Sequence, residues 1–221
     1  MHSILKFAAA SLIALTGMAQ AASVSYTSGT APLAFTDWDS SLSLQKFNTA
    51  LGTLNSITIT LYGQTDGNIY VESTDAAPST INASLSSMLT LTRPDLTTLV
   101  VTTPLTPVSF NASAYDGNTD FGGTSGQTWL NLTASAADFV STSSAADKTL
   151  FSGPGFVLAP LHAAGLSAAS GSGNFAFDND TQATAYAKVN YNYAPVPEPA
   201  SWALMIGGLA LLGRRAVQKR G

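Results

Sequence analysis

The sequence of 221 residues contains no cysteine. Without thiols the chain can form neither a disulfide framework nor a thiolate metal site. Charged residues are also scarce, at 10% of the chain, whereas apolar residues make up 45%. Intrinsic disorder requires weak hydrophobicity together with strong net charge, so this composition predicts a folded protein.

Histidine is nearly absent, which limits the possible catalytic chemistry. His162 is the single base available for a Ser-His-Asp arrangement once His2 is removed with the N-terminal segment described below, and no serine lies in a Gly-x-Ser-x-Gly elbow. Paired carboxylates could hydrolyse a glycosidic bond. Three aspartate pairs are close in sequence, but each lies beside glycine, asparagine or serine, where aspartates usually form turns. We therefore expect no enzymatic activity. The pairs are Asp37 with Asp39, Asp116 with Asp120, and Asp178 with Asp180.

Basic residues are rare in the body of the chain. Between Ala22 and Pro195 there are four basic and twelve acidic residues, a net charge of −8. Nucleic acids and anionic membrane surfaces attract basic patches, so an acidic segment is a poor partner for either. The charge predicts no nucleic-acid partner and suits an extracellular surface protein.

Short alternating segments fill this body. In residues 54–62 (LNSITITLY), Ile57, Ile59 and Leu61 share one face, which is typical of a half-buried strand. Residues 81–92, with Leu89 and Leu91 inward, and residues 183–193 alternate in the same way. About nine or ten such segments, separated by turn signals, predict an all-β antiparallel β-sandwich over residues 22–195, immunoglobulin-like or jelly-roll-like.

Three local features accompany this pattern. The Asp66-Gly67 pair predicts a hairpin turn between two strands. Residues 135–140 (SAADFV) favour one helical turn with Ser135 as its cap. Residues 163–173, rich in alanine, serine and glycine, predict a mobile loop.

One loop offers oxygen ligands for a metal ion. Asp116, Asn118 and Asp120 stand at alternate positions, as at the start of a calcium-binding loop. The pattern departs from the EF-hand because Phe121 replaces the required glycine and Gln127 replaces the bidentate glutamate. The sequence requires no cofactor, and a calcium site remains the alternative to a plain surface loop.

The N-terminus has the pattern of a secretory signal peptide. Lys6 precedes an apolar stretch over residues 7–17, and Ala19 and Ala21 occupy the two positions that signal peptidase reads. We predict a signal peptide over residues 1–21, cleaved by signal peptidase after Ala21. An N-terminal anchor helix is the alternative, but the apolar stretch is too short to span a bilayer.

The C-terminal segment 196–221 reads VPEPASWALMIGGLALLGRRAVQKRG. A helix over its uncharged residues 200–213 would span about 21 Å against roughly 30 Å of hydrocarbon, which is short for a permanent anchor. Positive charge stays on the cytoplasmic side, so the basic end predicts a temporary inner-membrane helix rather than a terminal core helix. The predicted membrane helix contains Trp202, Leu204, Met205, Ile206, Leu209, Leu211 and Leu212, and the basic stop cluster is Arg214, Arg215, Lys219 and Arg220.

The order of Pro-Glu-Pro, short apolar helix and basic cluster resembles the PEP-CTERM sorting signal of diderm bacteria. Pro197, Glu198 and Pro199 match its motif residue by residue. The two prolines keep the stretch extended, so it can enter a protease-like site. The resemblance implies processing by the membrane transpeptidase exosortase and export to the cell surface or extracellular matrix. It also implies an association with biofilm or exopolysaccharide.

The body resembles the choice-of-anchor E type of exported domain over most of residues 47–193. The resemblance lies in residues 51–54 (LGTL), the glycine-rich segment 116–126, Ala137-Asp138 before a Phe-Ser-Gly segment, and residues 191–193 (YNY). That family has no assigned catalytic activity and implies none here. We therefore expect a structural or adhesive matrix component. The alternatives are a carbohydrate- or calcium-binding module and, after that, a secreted hydrolase.

Overall fold

A computed structural model describes residues 21–196 and 206–210 of the chain. Two antiparallel sheets pack face to face, which confirms the predicted all-β sandwich. The strands are β1 (Ala22–Thr27), β2 (Ala34–Phe35), β3 (Trp38–Gln45), β4 (Gly52–Ser73), β5 (Ser79–Thr92), β6 (Thr98–Thr102), β7 (Leu105–Ala112), β8 (Gly126–Thr142), β9 (Phe156–Gly165), β10 (Ala168–Gly171) and β11 (Phe175–Pro195). A 3₁₀ turn (Thr49–Leu51) precedes β4, and helix α1 (Ala145–Leu150) follows β8.

The five-stranded sheet has the order β1-β11-β4-β8, with β2 also pairing with β11. The six-stranded sheet has the order β10-β5-β9-β3, with β6 and β7 also pairing with β5. Strands β4 and β11, of 22 and 21 residues, pair from Gly52 opposite Pro195 to Ser73 opposite Phe175. These two strands form the spine of the domain, and they are far longer than the short strands that the turn signals predicted.

The predicted hairpin at Asp66-Gly67 is wrong, because β4 continues through both residues. Glycine is needed at position 67 because β4 and β11 approach each other closely there, and not because the chain turns. A Cβ at this position would lie 1.8 Å from the backbone oxygen of Asp180 on β11. Asp-Gly often marks a turn in a sequence, but in this protein the glycine allows β4 and β11 to approach each other closely.

Two further local predictions are also wrong. Residues 135–140 form part of β8 rather than a helical turn, because they pair with residues 59–64 of β4. A helix forms a few residues later instead, where the Ser144 side chain accepts a hydrogen bond from the backbone N–H of Asp147. The predicted loop at 163–173 contains the end of β9 and all of β10, because β10 pairs with β5.

The core sits between the sheets in two hydrophobic clusters. The larger cluster includes Ile57, Ile59 and Leu61 of β4, each fully buried, and this confirms the inward face that their alternation predicted. Leu89 and Leu91 of β5 belong to the same cluster, also as predicted. The smaller cluster contains Ile69, Val71, Ile81, Ala83, Leu85 and Ala112.

A buried layer of hydroxyl groups lies between the two clusters. Thr65 and Ser87 are both fully buried and hydrogen-bond to each other across the sheets. The Ser86 hydroxyl donates to the carbonyl of Pro104 (2.8 Å), and the Ser167 and Thr181 hydroxyls share a hydrogen bond of 2.7 Å. These groups satisfy one another, so the layer is tolerated inside the core and helps set the register of the two sheets.

An ion pair joins α1 to the end of β5. Arg93 donates to Asp147 through Nε (2.8 Å) and Nη2 (3.1 Å), and the Asp147 side chain is 6% exposed. Thr142 and Ser144 donate two further hydrogen bonds to the same carboxylate. The Arg93 bonds, then those from Thr142 and Ser144, outweigh the cost of burial and hold the pKa of Asp147 at about 2, below its usual 3.8.

Candidate functional site

The outer face of the five-stranded sheet, the face directed away from the six-stranded sheet, is predominantly polar. Side chains alternate along β4, so the residues between its buried positions point outward. They bear hydroxyl and amide groups on β4 and its neighbours, for example the Thr58 and Ser141 hydroxyls, which hydrogen-bond at 2.9 Å. The residues of β4 on this face begin with Ser56, Thr58, Thr60, Tyr62 and Gln64.

Two tyrosines stack at the middle of this outer face. Tyr62 of β4 lies directly opposite Tyr186 of β11, with ring centroids 4.7 Å apart and ring planes within 8° of parallel. Ala137 of β8 is the partner of Tyr62 on its other side, and it is too small to cover the ring. The pair therefore stands above the sheet with space beside it.

This space is a shallow depression of about 510 Å³. Its floor and walls bear hydroxyl, amide and aromatic groups, and none of the described residues that line it is charged. Gly63 contributes backbone to the floor, while its inner side approaches Leu89 of the other sheet. The lining side chains include Thr30, Tyr62, Gln64, Ser135, Thr184 and Tyr186.

His162 lies on the six-stranded sheet, within β9, and is bonded to a carboxylate. Its Nδ1 atom is 2.8 Å from Oδ1 of Asp39, its partner on β3. The side chains are 47% and 86% exposed respectively, so the pair sits on an open surface. Among the hydrogen bonds of the described residues, none joins a serine hydroxyl to His162. The arrangement supplies a base and its orienting carboxylate without an attached nucleophile.

The two other aspartate pairs differ in their setting. Asp116 and Asp120 form turns as predicted, because they accept hydrogen bonds from the backbone N–H groups of Asn118 and Gly122, each at 3.0 Å. Asp178 and Asp180 instead lie within β11, so a turn is wrong for them. Asp180 accepts hydrogen bonds from the hydroxyl of Tyr70 (3.3 Å) and the amide of Asn68 (3.2 Å). Burial, followed by the charge on Asp180, raises the pKa of Tyr70.

The predicted calcium ligands Asp116, Asn118 and Asp120 lie together in the exposed loop that precedes β8. Within residues 21–196 and 206–210, no three histidine or acidic side chains converge to form a complete metal site. Sequence reasoning missed Glu72, which is fully buried next to this loop. The sequence around Glu72 does not indicate that its side chain is buried, because this burial depends on how the loop folds over it.

The two terminal predictions fall largely outside the described residues. Of the predicted signal peptide over residues 1–21, residues 1–20 with Ala19 lie outside them, and Ala21 is the first described residue and is exposed. Residues 206–210 are helical, with Ile206 and Leu209 exposed. In the part of the chain that the structure describes, no helix has the length and apolar character that crossing a bilayer requires. The other predicted tail residues lie outside the described ranges: Pro197, Glu198, Pro199, Trp202, Leu204, Met205, Leu211, Leu212, Arg214, Arg215, Lys219 and Arg220.

The PEP-CTERM protein-sorting motif matches residues 195–220 of the chain. The match confirms the sorting signal that the Pro-Glu-Pro order predicted, and it supports an exported protein that is processed by exosortase. The matched motif begins where β11 ends, so it concerns the export of the protein and not the role of the sandwich. The resemblance of the body to the choice-of-anchor E type remains a prediction.

No curated protein matches the sequence. Among solved structures, the chain is similar to the structure of infectious bursal disease virus, Gx strain, at 16% identity over 89% of this chain and 51% of that one, with a TM-score of 0.15. It is also similar to the VP2 subviral particle of infectious bursal disease virus, at 15% identity over 88% and 49%, with a TM-score of 0.19. The chain spans about half the length of these structures.

Proposed function

We propose that the exported sandwich is a non-catalytic, structural or adhesive component of a biofilm or exopolysaccharide matrix. In this proposal it contacts neutral polysaccharide through the depression beside Tyr62 and Tyr186. The stacked tyrosine pair, surrounded by hydroxyl and amide groups, is the observation that carries the proposal.

The chemistry of the depression suits a sugar chain. The C–H face of a pyranose packs against an aromatic ring, and its hydroxyls need both donors and acceptors. Tyr62 offers the ring and Ser135 a hydroxyl that donates and accepts. Gln64 and Thr184 offer their oxygens as acceptors, because Gln64 Nε2 donates to Asp66 and the Thr184 hydroxyl donates to the carbonyl of Ala31. A shallow, open surface suits a polymer that runs across it, in contrast to the deep pockets that enclose small ligands.

The charge of the depression and of the whole domain favours one class of polysaccharide. The depression is lined by uncharged side chains, and residues 22–195 carry a net charge of −8. An acidic polysaccharide would be repelled by the field of the whole domain. Neutral polysaccharide is therefore the class that fits.

A non-catalytic role is supported by the setting of the titratable groups. His162 and Asp39 are bonded on an open sheet surface, where water is not excluded and substrate positioning is weak. The side chains that line the depression around the tyrosines include no histidine and no carboxylate, which are the usual general acids and bases.

The binding proposal is tested by substituting the tyrosines. The full-length protein, purified in mild detergent, is passed through affinity gels that contain neutral or acidic bacterial exopolysaccharide. We expect retardation in the neutral gel and at least a tenfold loss of affinity for Tyr62→Ala and Tyr186→Ala. Phe156→Ala is the matched control, because Phe156 is a 58%-exposed aromatic residue on the other sheet. Equal affinity of all three variants and the unchanged protein would refute the assignment of the site.

The location of the protein is a further part of the proposal. We infer that the tail holds the protein briefly in the inner membrane before exosortase releases it to the cell surface or matrix of a diderm bacterium. The PEP-CTERM match at residues 195–220 supports this route. Mass spectrometry of the exported protein from hosts with and without exosortase should show a shortened C-terminus only where the enzyme is present. An intact tail in both hosts would contradict the route.

A further inference from the structure

Glu72 is a buried carboxylate near the end of β4. It is the penultimate residue of β4, and its relative exposure is 0%. Both carboxylate oxygens are buried, and no group within residues 21–196 and 206–210 donates a hydrogen bond to either. Burying an unpaired carboxylate is costly, so its charge requires compensation.

Small neighbours create the space that Glu72 occupies. Its partners across the sheet are Gly126 on β8 and Ala176 on β11. A Cβ at Gly126 would lie 2.1 Å from Oε2 of Glu72, 2.4 Å from the nitrogen of Gly122 and 2.6 Å from the oxygen of Gly122. The Glu72 carboxylate and the Gly122 backbone therefore converge on one point, under the loop that joins β7 to β8.

Within residues 21–196, no basic side chain supplies the compensation. Arg93 is bonded to Asp147 at the other end of the sandwich. Lys188 lies opposite Thr60, twelve residues along β4 from Glu72, which corresponds to about 40 Å. The remaining basic residues between Ala22 and Pro195 are also at that other end. They are Lys46, whose backbone N–H donates to the carbonyl of Gly155, and Lys148, in α1.

The loop above Glu72 carries further oxygen atoms. Asp120 Oδ1 accepts a hydrogen bond from the same Gly122 N–H that lies near Glu72. Asp116 Oδ1 accepts a hydrogen bond from the backbone N–H of Asn118. Asp116 Oδ2 lies over Gly123, 2.7 Å from the position that a Cβ on Gly123 would occupy. Both aspartates are exposed, and one backbone N–H holds each of them in its turn, so a bound cation can draw their side chains inward.

We propose that Glu72 and the loop over residues 116–126 bind a calcium ion. Calcium takes six to eight oxygen ligands from carboxylates and backbone carbonyls in flexible geometry, and this end of the domain supplies both types. Glu72 contributes the buried carboxylate and Gly122 a backbone carbonyl, and Asp116 and Asp120 complete the set by side-chain rotation. Asn118 is not needed as a ligand. The proposal does not rest on polysaccharide contact.

The test is thermal unfolding of the full-length protein in mild detergent, with CaCl₂ or with EGTA. At calcium concentrations about a hundredfold above Kd, we expect the Tm to rise by roughly 5–10 °C. Glu72→Gln, which keeps the shape and removes the charge, should abolish this rise. In EGTA the same variant should melt at or above the Tm of the unchanged protein, because the buried charge is gone.

Two more variants keep the test decisive even if Glu72→Gln does not fold. Asp116→Asn, in the exposed loop, should weaken calcium binding at least tenfold by isothermal titration. Asp138→Asn, which removes an exposed carboxylate of β8, should bind calcium as tightly as the unchanged protein. An unchanged Tm and no binding heat with calcium would overturn the proposal. A full calcium response in Glu72→Gln or Asp116→Asn would do the same.

Discussion

Replacing Asp147 by asparagine removes the carboxylate that ties helix α1 to the end of β5. In the folded protein this carboxylate accepts two hydrogen bonds from Arg93 and one each from Thr142 and Ser144. Asparagine keeps the size of the side chain but loses the charge and half of its accepting capacity. The substitution therefore isolates the electrostatic contribution of this site from its packing.

The magnitude follows from proton linkage. The pKa of Asp147 falls from the usual 3.8 to about 2 on folding, and each pKa unit corresponds to about 1.4 kcal/mol. Because the folded pKa is depressed, the stabilisation is fully present above about pH 4 and is lost as pH falls through about 2. The charged carboxylate therefore contributes about 2 kcal/mol at pH 7 and less than about 0.5 kcal/mol at pH 2.

Urea unfolding of the unchanged protein and of Asp147→Asn, followed by tryptophan fluorescence, measures this difference at each pH. We expect a gap of about 2 kcal/mol at pH 7 that narrows steadily between pH 4 and pH 2. Asp138→Asn is the control, since its exposed carboxylate accepts one hydrogen bond, from the backbone of Phe139. A gap that stays constant with pH, or that is below about 0.5 kcal/mol at pH 7, would refute the reasoning.

Two further predictions concern β4 and β11. Gly67→Ala should destabilise the protein by about 3 kcal/mol, since its Cβ would meet the backbone oxygen of Asp180 at 1.8 Å. Gly29→Ala, with no heavy atom within 4 Å of the new Cβ, should change stability by less than about 0.5 kcal/mol in the same urea assay. Tyr191→Phe should cost about 1 kcal/mol, because the buried hydroxyl donates a 2.6 Å hydrogen bond to the carbonyl of Gln45. Equal urea midpoints for the two alanine variants, or an unchanged midpoint for Tyr191→Phe, would contradict these contacts.

The inward faces of the central strands could be predicted from the sequence because side-chain alternation is a local property. Ile57, Ile59 and Leu61 lie two residues apart, and any strand that contains them must place them on one face. The same reasoning correctly placed Leu89 and Leu91. No knowledge of the partner strand is required for this step.

Where a strand ends could not be predicted in the same way. Asp66-Gly67 carries a turn signal, yet β4 passes through it because β11 offers a partner along its whole length. Residues 135–140 have helix-compatible composition, yet the backbone hydrogen bonds to β4 make them a strand. Pairing with a distant strand overrides local preference, and the identity of that strand is not encoded locally.

The candidate sites also combine features that the local sequence predicts with features that only strand pairing creates. Tyr62 and Tyr186 are 124 residues apart in the chain and meet because β4 and β11 pair in one particular register. The position of Glu72 under the loop at 116–126 likewise depends on the pairing of β4 with β8. The turns at Asp116 and Asp120 could be predicted from the sequence, because each aspartate accepts a hydrogen bond from a backbone N–H only two residues away.

By itself the sequence determined the sandwich class, the inward faces and the sorting tail. The tail can be read directly because a processing enzyme recognises a linear motif, and the PEP-CTERM motif matches one continuous stretch of sequence, residues 195–220. Only the tertiary structure decided which strands pair, where they end, and which side chains meet on the outer face. Strand register depends on the packing of the whole core, and a shift of one residue would reverse every side chain. The tyrosine pair and the buried Glu72 are products of that register.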